Sequence, residues 1–279
     1  MKKQVLFSAA MVAAMTASAQ TGEITSNRGE NWLSQSGDYG ITFDATPLLN
    51  YAGNLFNGDS GNNIGQGLTW ANPYFAIQGK KLIDANTAYR GKLRIGFGSM
   101  KETNLVDAAV QPVPAPIAPV QVEDVMKDSY MNVVLGAGLE KRIGSTRVVG
   151  VYGGEALIMF GNSKTVNEYG EALSADNTNG GAWRDTEAKN GSTFGIGVGV
   201  FGGIEWFCAP KVSLSGEYTW GLMLSSTGFG ETTEERWNPA TGTSGAVETR
   251  TIEDGTKRNN FSLDTGVSGA SIGVNFYFQ

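Results

Sequence analysis

Asp44, Arg90, Lys92, Arg94, Glu140, Glu155, Glu205 and Glu217 sit at alternate positions in stretches whose intervening residues are mostly apolar. A period of two is the strand period, so each charge projects from the face opposite its apolar neighbours. Carboxylates gathered with guanidinium and ammonium groups in a narrow space must pair, because an unpaired buried charge is costly. The pattern therefore predicts an ionic plug. Counting from the turns, Asp44, Glu140, Glu205 and Glu217 reach a similar depth, opposed by Arg90, Lys92 and Arg94, with Glu155 set higher.

Other chemistry is sparse. The sequence holds no histidine, which removes Ser-His triads, histidine acyl transfer and histidine metal sites together. Cys208 is the only cysteine, so neither an intramolecular disulfide nor a cysteine metal cluster can form. A carboxylate-only site could be assembled from Glu234, Glu235, Glu253 and Asp254, but acidic loops are usually just solvated. No segment has the spacing of a dedicated calcium loop, and the GIGVGVFGG run lies within a strand where a phosphate loop would have to open a helix. We expect no enzyme, no cofactor and no metal.

The elements that must hold the charges are strands. From Ser192 to Ser225, Phe194, Ile196, Val198, Val200, Ile204 and Trp206 share one face. After Cys208-Ala209-Pro210 the alternation resumes with Leu214, Tyr218, Trp220, Leu222 and Leu224. Both halves exceed the about 9–11 residues that a membrane-crossing strand needs. Large apolar residues on one face and small or polar ones on the other describe a wall with lipid outside and a polar lumen inside. A soluble eight-stranded binding barrel would invert that pattern. Further strands are predicted at 39–51, 68–81, 87–100, 129–143 and 146–160, and the last ends in ASIGVNFYFQ. Glycine is frequent, 39 of 279 residues, and in strands it suits a crowded lumen despite its cost to strand stability.

The expected fold is all-β: an eight-stranded, antiparallel, up-and-down transmembrane β-barrel spanning residues 39–279. Its connections alternate long and short, giving four long surface loops, among them 101–128, 161–190 and 226–257, and three short periplasmic turns. Gly144-Ser145 reads as a two-residue hairpin turn. Tyr39, Tyr89, Trp206, Phe276 and Phe278 would form one aromatic girdle, and Tyr51, Phe160, Phe194 and Trp220 the other. Within the first of the three named loops, PVPAPIAP (112–119) favours an extended polyproline spacer or docking peptide.

The chain opens with Lys2-Lys3, a short apolar run and Ala17-Ser18-Ala19. That is a secretory signal, residues 1–19, cleaved after Ala19. Residues 20–38 are polar and aperiodic and read as a flexible periplasmic lead-in. The net charge of −6, which becomes more negative once Lys2 and Lys3 leave with the signal, argues against nucleic acid as a partner.

The signal, the alternating strands and the aromatic final strand resemble the small outer-membrane β-barrel families of the OmpA-domain, OmpX and OmpW kind. The chain departs from them in ending on Gln279 after Phe278. The resemblance implies a location in the outer membrane of a Gram-negative cell envelope, contact with its lipid, and handling by the outer-membrane assembly machinery. It implies no particular chemistry. Two functions stay open: a non-enzymatic scaffold binding an envelope protein or surface ligand through its loops, or a small porin-like channel, an OmpW-like conduit for small or apolar solutes.

Overall fold

The computed structural model describes residues 24–45, 77–114, 116–144, 146–239, 245–264 and 270–279. The signal sequence, residues 46–51 of the first predicted strand, the connection that follows it and residues 68–76 of the second predicted strand lie outside the described residues. The strands are β1 Tyr39–Asp44, β2 Ile77–Asp84, β3 Thr87–Asp107, β4 Gln121–Ile143, β5 Val148–Glu168, β6 Arg184–Lys189, β7 Thr193–Ala209, β8 Val212–Thr227, β9 Gly230–Asn238, β10 Ala246–Asp254, β11 Arg258–Asp264 and β12 Ala270–Phe278. All pairings are antiparallel. A ring of eight closes in the order β1-β2-β3-β4-β5-β7-β8-β12, with β12 returning to β1 through Tyr39 opposite Phe278.

Where eight strands were expected there are twelve, and the pairing explains the difference. β6 and β7 run one after the other along the same edge of β5, at Lys164–Val166 and Val148–Gly161 respectively. β9 continues β8 in the same way, and β10, β11 and β12 follow one another along β9 and β8. Three of the eight paths are thus interrupted, at 190–192, 228–229 and 255–257, while 265–269 lie outside the described residues. At one interruption the Gly228 amide donates to the Ser192 carbonyl at 3.1 Å. A Cβ on Gly191 would stand 1.9 Å from the Gly228 carbonyl oxygen, so only glycine admits that approach.

The expected loops shrink accordingly. Residues 101–107 and 121–128 extend the β3–β4 ladder, and 226–257 hold the whole of β9 and β10. The connections that remain are 108–120, 169–183 and 239–245. Opposite them, the turns are Ala85-Asn86, 144–147 and Pro210-Lys211. The turn placed at Gly144-Ser145 is two residues longer than expected, because β5 begins at Val148. Lys211 takes a left-handed φ of 60°, the geometry a tight turn demands after a proline.

The faces are inside-out relative to a soluble core. Phe194, Ile196, Val198, Val200, Ile204 and Trp206 of β7 are exposed, while Phe201, Glu205 and Phe207 are buried. Tyr89, Leu93, Ile95 and Phe97 of β3, and Leu135 and Leu139 of β4, are likewise exposed.

The small apolar core lies at the short-turn end of the ring. Leu82, Ala88, Val149, Val151, Phe207 and Tyr277 pack around Leu33, with Ile24 and Trp32 against them. Residues 24–38, expected as a flexible lead-in, therefore fold across this end. The Lys211 amide donates to the Trp32 carbonyl at 3.1 Å, and the Gly37 amide to that of Leu82 at 3.0 Å. The Arg147 guanidinium lies 4.6 Å from the Trp32 ring, and Lys211 pairs with buried Asp38. Apolar Leu33 and Trp32, an isolated pair in sequence, find their partners only once the ring exists.

Candidate functional site: the charged interior

Alternation along β2, β3, β4, β5, β7 and β8 delivers the charges to one space. Lys80 of β2 lies 3.0 Å from Glu140 of β4 and 3.9 Å from Glu205 of β7. None of these strands neighbours another in the ring, so the contacts cross its interior. Arg142 contacts Glu140 at 2.8 Å and Glu205 at 3.0 Å, and donates to the Tyr277 hydroxyl at 3.1 Å. Arg90 donates to Glu217 at 2.8 Å and to Gln78 at 2.6 Å, and its guanidinium stands 3.7 Å over the Phe201 ring. A further tier pairs Lys92 with Glu155 at 2.7 Å.

The tally is even. Lys80, Arg90, Lys92 and Arg142 face Glu140, Glu155, Glu205 and Glu217, a cation for each carboxylate. Lys80, Arg90, Glu140, Arg142 and Glu205 are all nearly or wholly withdrawn from solvent. Ser213 donates to Glu205, and the Asn275 side-chain amide donates to Ser213 at 3.0 Å. The network thereby reaches from β2 to β12. Glycines make room for it: a Cβ on Gly138 would sit 2.9 Å from the Glu155 Cβ, and one on Gly203 would sit 3.0 Å from the Glu217 Cγ.

Of the charges singled out by sequence, Arg90, Lys92, Glu140, Glu155, Glu205 and Glu217 meet in this cluster. Arg94 is half-buried one alternate position beyond Lys92. The Asp44 side chain lies outside the described residues. Sequence reasoning did not include Lys80, Arg142, Gln78 and Tyr277 in the cluster. Their signal was the same alternation, since Arg142 stands two residues beyond Glu140 and Lys80 two beyond Gln78.

Outside the ring, Tyr39 stacks on Phe278 with centroids 6.3 Å apart, and Phe43 meets Phe276 edge-on at 6.3 Å. Tyr39, Tyr89, Trp206, Phe276 and Phe278 are all exposed toward the short-turn end. Phe160 and Phe194 face each other in register farther up. Trp220 does not join them. It pairs with Val200 and packs against Tyr218 at 4.8 Å, six residues below Ser226, the partner of Phe194. Tyr51 lies outside the described residues.

The candidate acidic residues Glu234, Glu235, Glu253 and Asp254 are strand residues, and Glu235 pairs with Arg184 at 2.7 Å and Glu234 with Arg250 at 2.7 Å. Among the described residues, no group of three or more His, Cys, Asp or Glu side chains is placed to hold a metal ion. Compared with known protein families and with curated proteins, the chain finds no match in either.

Proposed function

We propose that this protein is a transmembrane β-barrel of the bacterial outer membrane, closed to solutes, that acts without catalysis as an envelope scaffold or interaction protein. The observation that carries the reading is the inverted ring: an exposed apolar exterior around an interior bridged by Arg90–Glu217 and Arg142–Glu205. A polypeptide can satisfy its backbone in lipid as a closed strand ring, since a ring has no unpaired edge. Eight strands leave an interior just wide enough for side chains to fill, and here ion pairs fill it while residues 24–38 cover one end. A continuous water path has no room, which favours the scaffold over the channel.

The other end supports the interaction role. β3 is 21 residues long, about twice what a bilayer requires, and stays paired with β4 to Asp107 and Gln121. The hairpin tip bends at Val113-Pro114 and Ile117-Ala118, where an uninterrupted extended run was expected, and it presents Val113 and Ile117 fully to solvent. Its base is fixed, as the Ala109 and Val110 amides both donate to Glu171.

Membrane fractionation and gel mobility test the barrel. The protein should collect with outer membranes and, unheated in mild detergent, migrate apart from its heated form. Recovery in the soluble periplasm with no heat-dependent shift would refute the reading. In planar bilayers the wild type should give little steady conductance; a large stable conductance would replace the scaffold with the channel.

A further inference from the structure

The outward face becomes more polar above the apolar belt, where single apolar residues, Leu105 on β3, Val125 on β4 and Val166 on β5, are interspersed among polar ones. The continuous apolar run on β3, β4, β5 and β7 ends at Phe97, Met131, Phe160 and Phe194, all exposed. Two alternate positions beyond them on the same face, Lys101 stands on β3, Lys127 on β4 and Lys164 on β5, and Lys189 ends β6. The register sets Lys101 directly opposite Lys127, and Lys164 directly opposite Lys189. Like charges directly opposite each other destabilise a sheet, and a chain free to choose would alternate the signs.

Acidic neighbours do not erase the pattern. Lys127 pairs with Glu168, Lys164 reaches Glu187 at 3.7 Å, and Lys189 reaches Glu187 at 2.8 Å. Glu168 and Glu187 lie farther from the apolar belt than the lysines do, as the direction of β5 and β6 shows. Glu231 faces Lys189 at 3.8 Å from β9. Each ammonium carries three donors, so the carboxylate at Lys127, the one at Lys164 and the two at Lys189 still leave a donor for another anion.

We propose that these two cross-strand lysine pairs, Lys101–Lys127 and Lys164–Lys189, form a docking surface for the phosphate of membrane lipid headgroups. The proposal rests on the barrel reading, which puts the belt in the hydrocarbon and this row at headgroup height. A phosphate over each pair relieves the repulsion between its lysines and meets the geometry of a flat outward wall, while the acyl chains lie along Phe97, Met131, Phe160 and Phe194. Lys81, which lies against Tyr39 at the opposite rim, is a single lysine without a like-charged partner in register and serves as the comparison.

The test uses the full mature chain refolded in vesicles of phosphatidylcholine containing phosphatidic acid, then extracted and weighed intact with its retained lipids. Wild type and Lys81→Gln should retain phosphatidic acid in preference to phosphatidylcholine. Lys101→Gln/Lys127→Gln and Lys164→Gln/Lys189→Gln should each weaken that preference, by about fivefold for each lysine neutralised, with heat-dependent gel mobility unchanged. Equal retention of both lipids by the wild type, or undiminished preference in the combined variant, overturns the proposal and leaves the barrel standing. Displacement of the lipid by millimolar inorganic phosphate overturns the lipid surface in favour of a free-phosphate site. Failure of every form to enter vesicles overturns the barrel reading itself.

Discussion

Arg90 closes the interior: its guanidinium reaches Gln78 on β2, Glu140 on β4 and Glu217 on β8, and covers the Phe201 ring. Removing one member of a buried ion pair strands the other, a loss of about 3–5 kcal/mol. Arg90→Ala and Glu205→Ala should therefore each lower the stability of the detergent-folded protein by that order, measured by denaturant titration of the heat-dependent gel shift. Arg90→Ala combined with Glu217→Ala should cost less than the sum of the singles, because residues in one network couple. An additive double variant would mean that the two groups do not share their interaction. Glu217→Ala or Lys92→Ala, if it leaves the ring intact, should raise the small bilayer conductance of the wild type. Much of this cluster was legible in sequence, since strand alternation alone aims Glu140 and Glu205 inward. The cross-ring partnerships were not, because pairing Lys80 with Glu140 requires knowing that β2 and β4 face each other across a closed ring.

At the scale of elements, legibility follows polarity. Within the belt, apolar residues alternate with glycine and polar ones, so the strands from 87 to 100 and 193 to 207 declare themselves. Above the belt both faces meet water, and Thr232, Thr233, Glu234, Glu235, Thr249, Arg250 and Thr251 show no hydrophobic period although the ladder continues. Cross-strand ion pairs and threonine contacts sustain it there. Glu248 is one of them: hydrogen bonds from Asn238 and then Arg236 hold its carboxyl below the ordinary range. A depressed folded-state value means that the stabilisation is present above the usual carboxylate range and disappears as pH falls through the folded value. Amides near Asn238 and Ala246 should keep their protection against hydrogen exchange, corrected for intrinsic rates, at neutral pH and lose it as the pH falls below the usual carboxylate range. Glu248→Gln should remove that pH dependence. Residues 24–38 were illegible for a different reason, as Leu33 and Trp32 have no partner in their own segment. Leu33→Asp should detach this cover and render it protease-sensitive while the ring keeps its heat-dependent mobility.

For the whole molecule, the extended wall redraws where it can be cut. Protease added to intact cells should cleave at 108–120, 169–183 or 239–245 and spare 121–128, 184–189 and 246–254, with fragment masses as the readout. Cleavage spread evenly over 101–128 would mean that the long β3–β4 ladder does not form in the cell. The interruptions at 190–192, 228–229 and 255–257 fall on three adjacent paths, and Gly228 bonds to Ser192 across two of them. Stacked side by side they make a crease, a line along which backbone bonding is thinnest while β3, β4 and β5 run past it unbroken. Load applied to the outer section is thus carried by one side of the tube and shed by the other. The part bearing β6, β9 and β10 joins that longer side through the short β5–β6 ladder at Lys164–Val166, where such load would be concentrated.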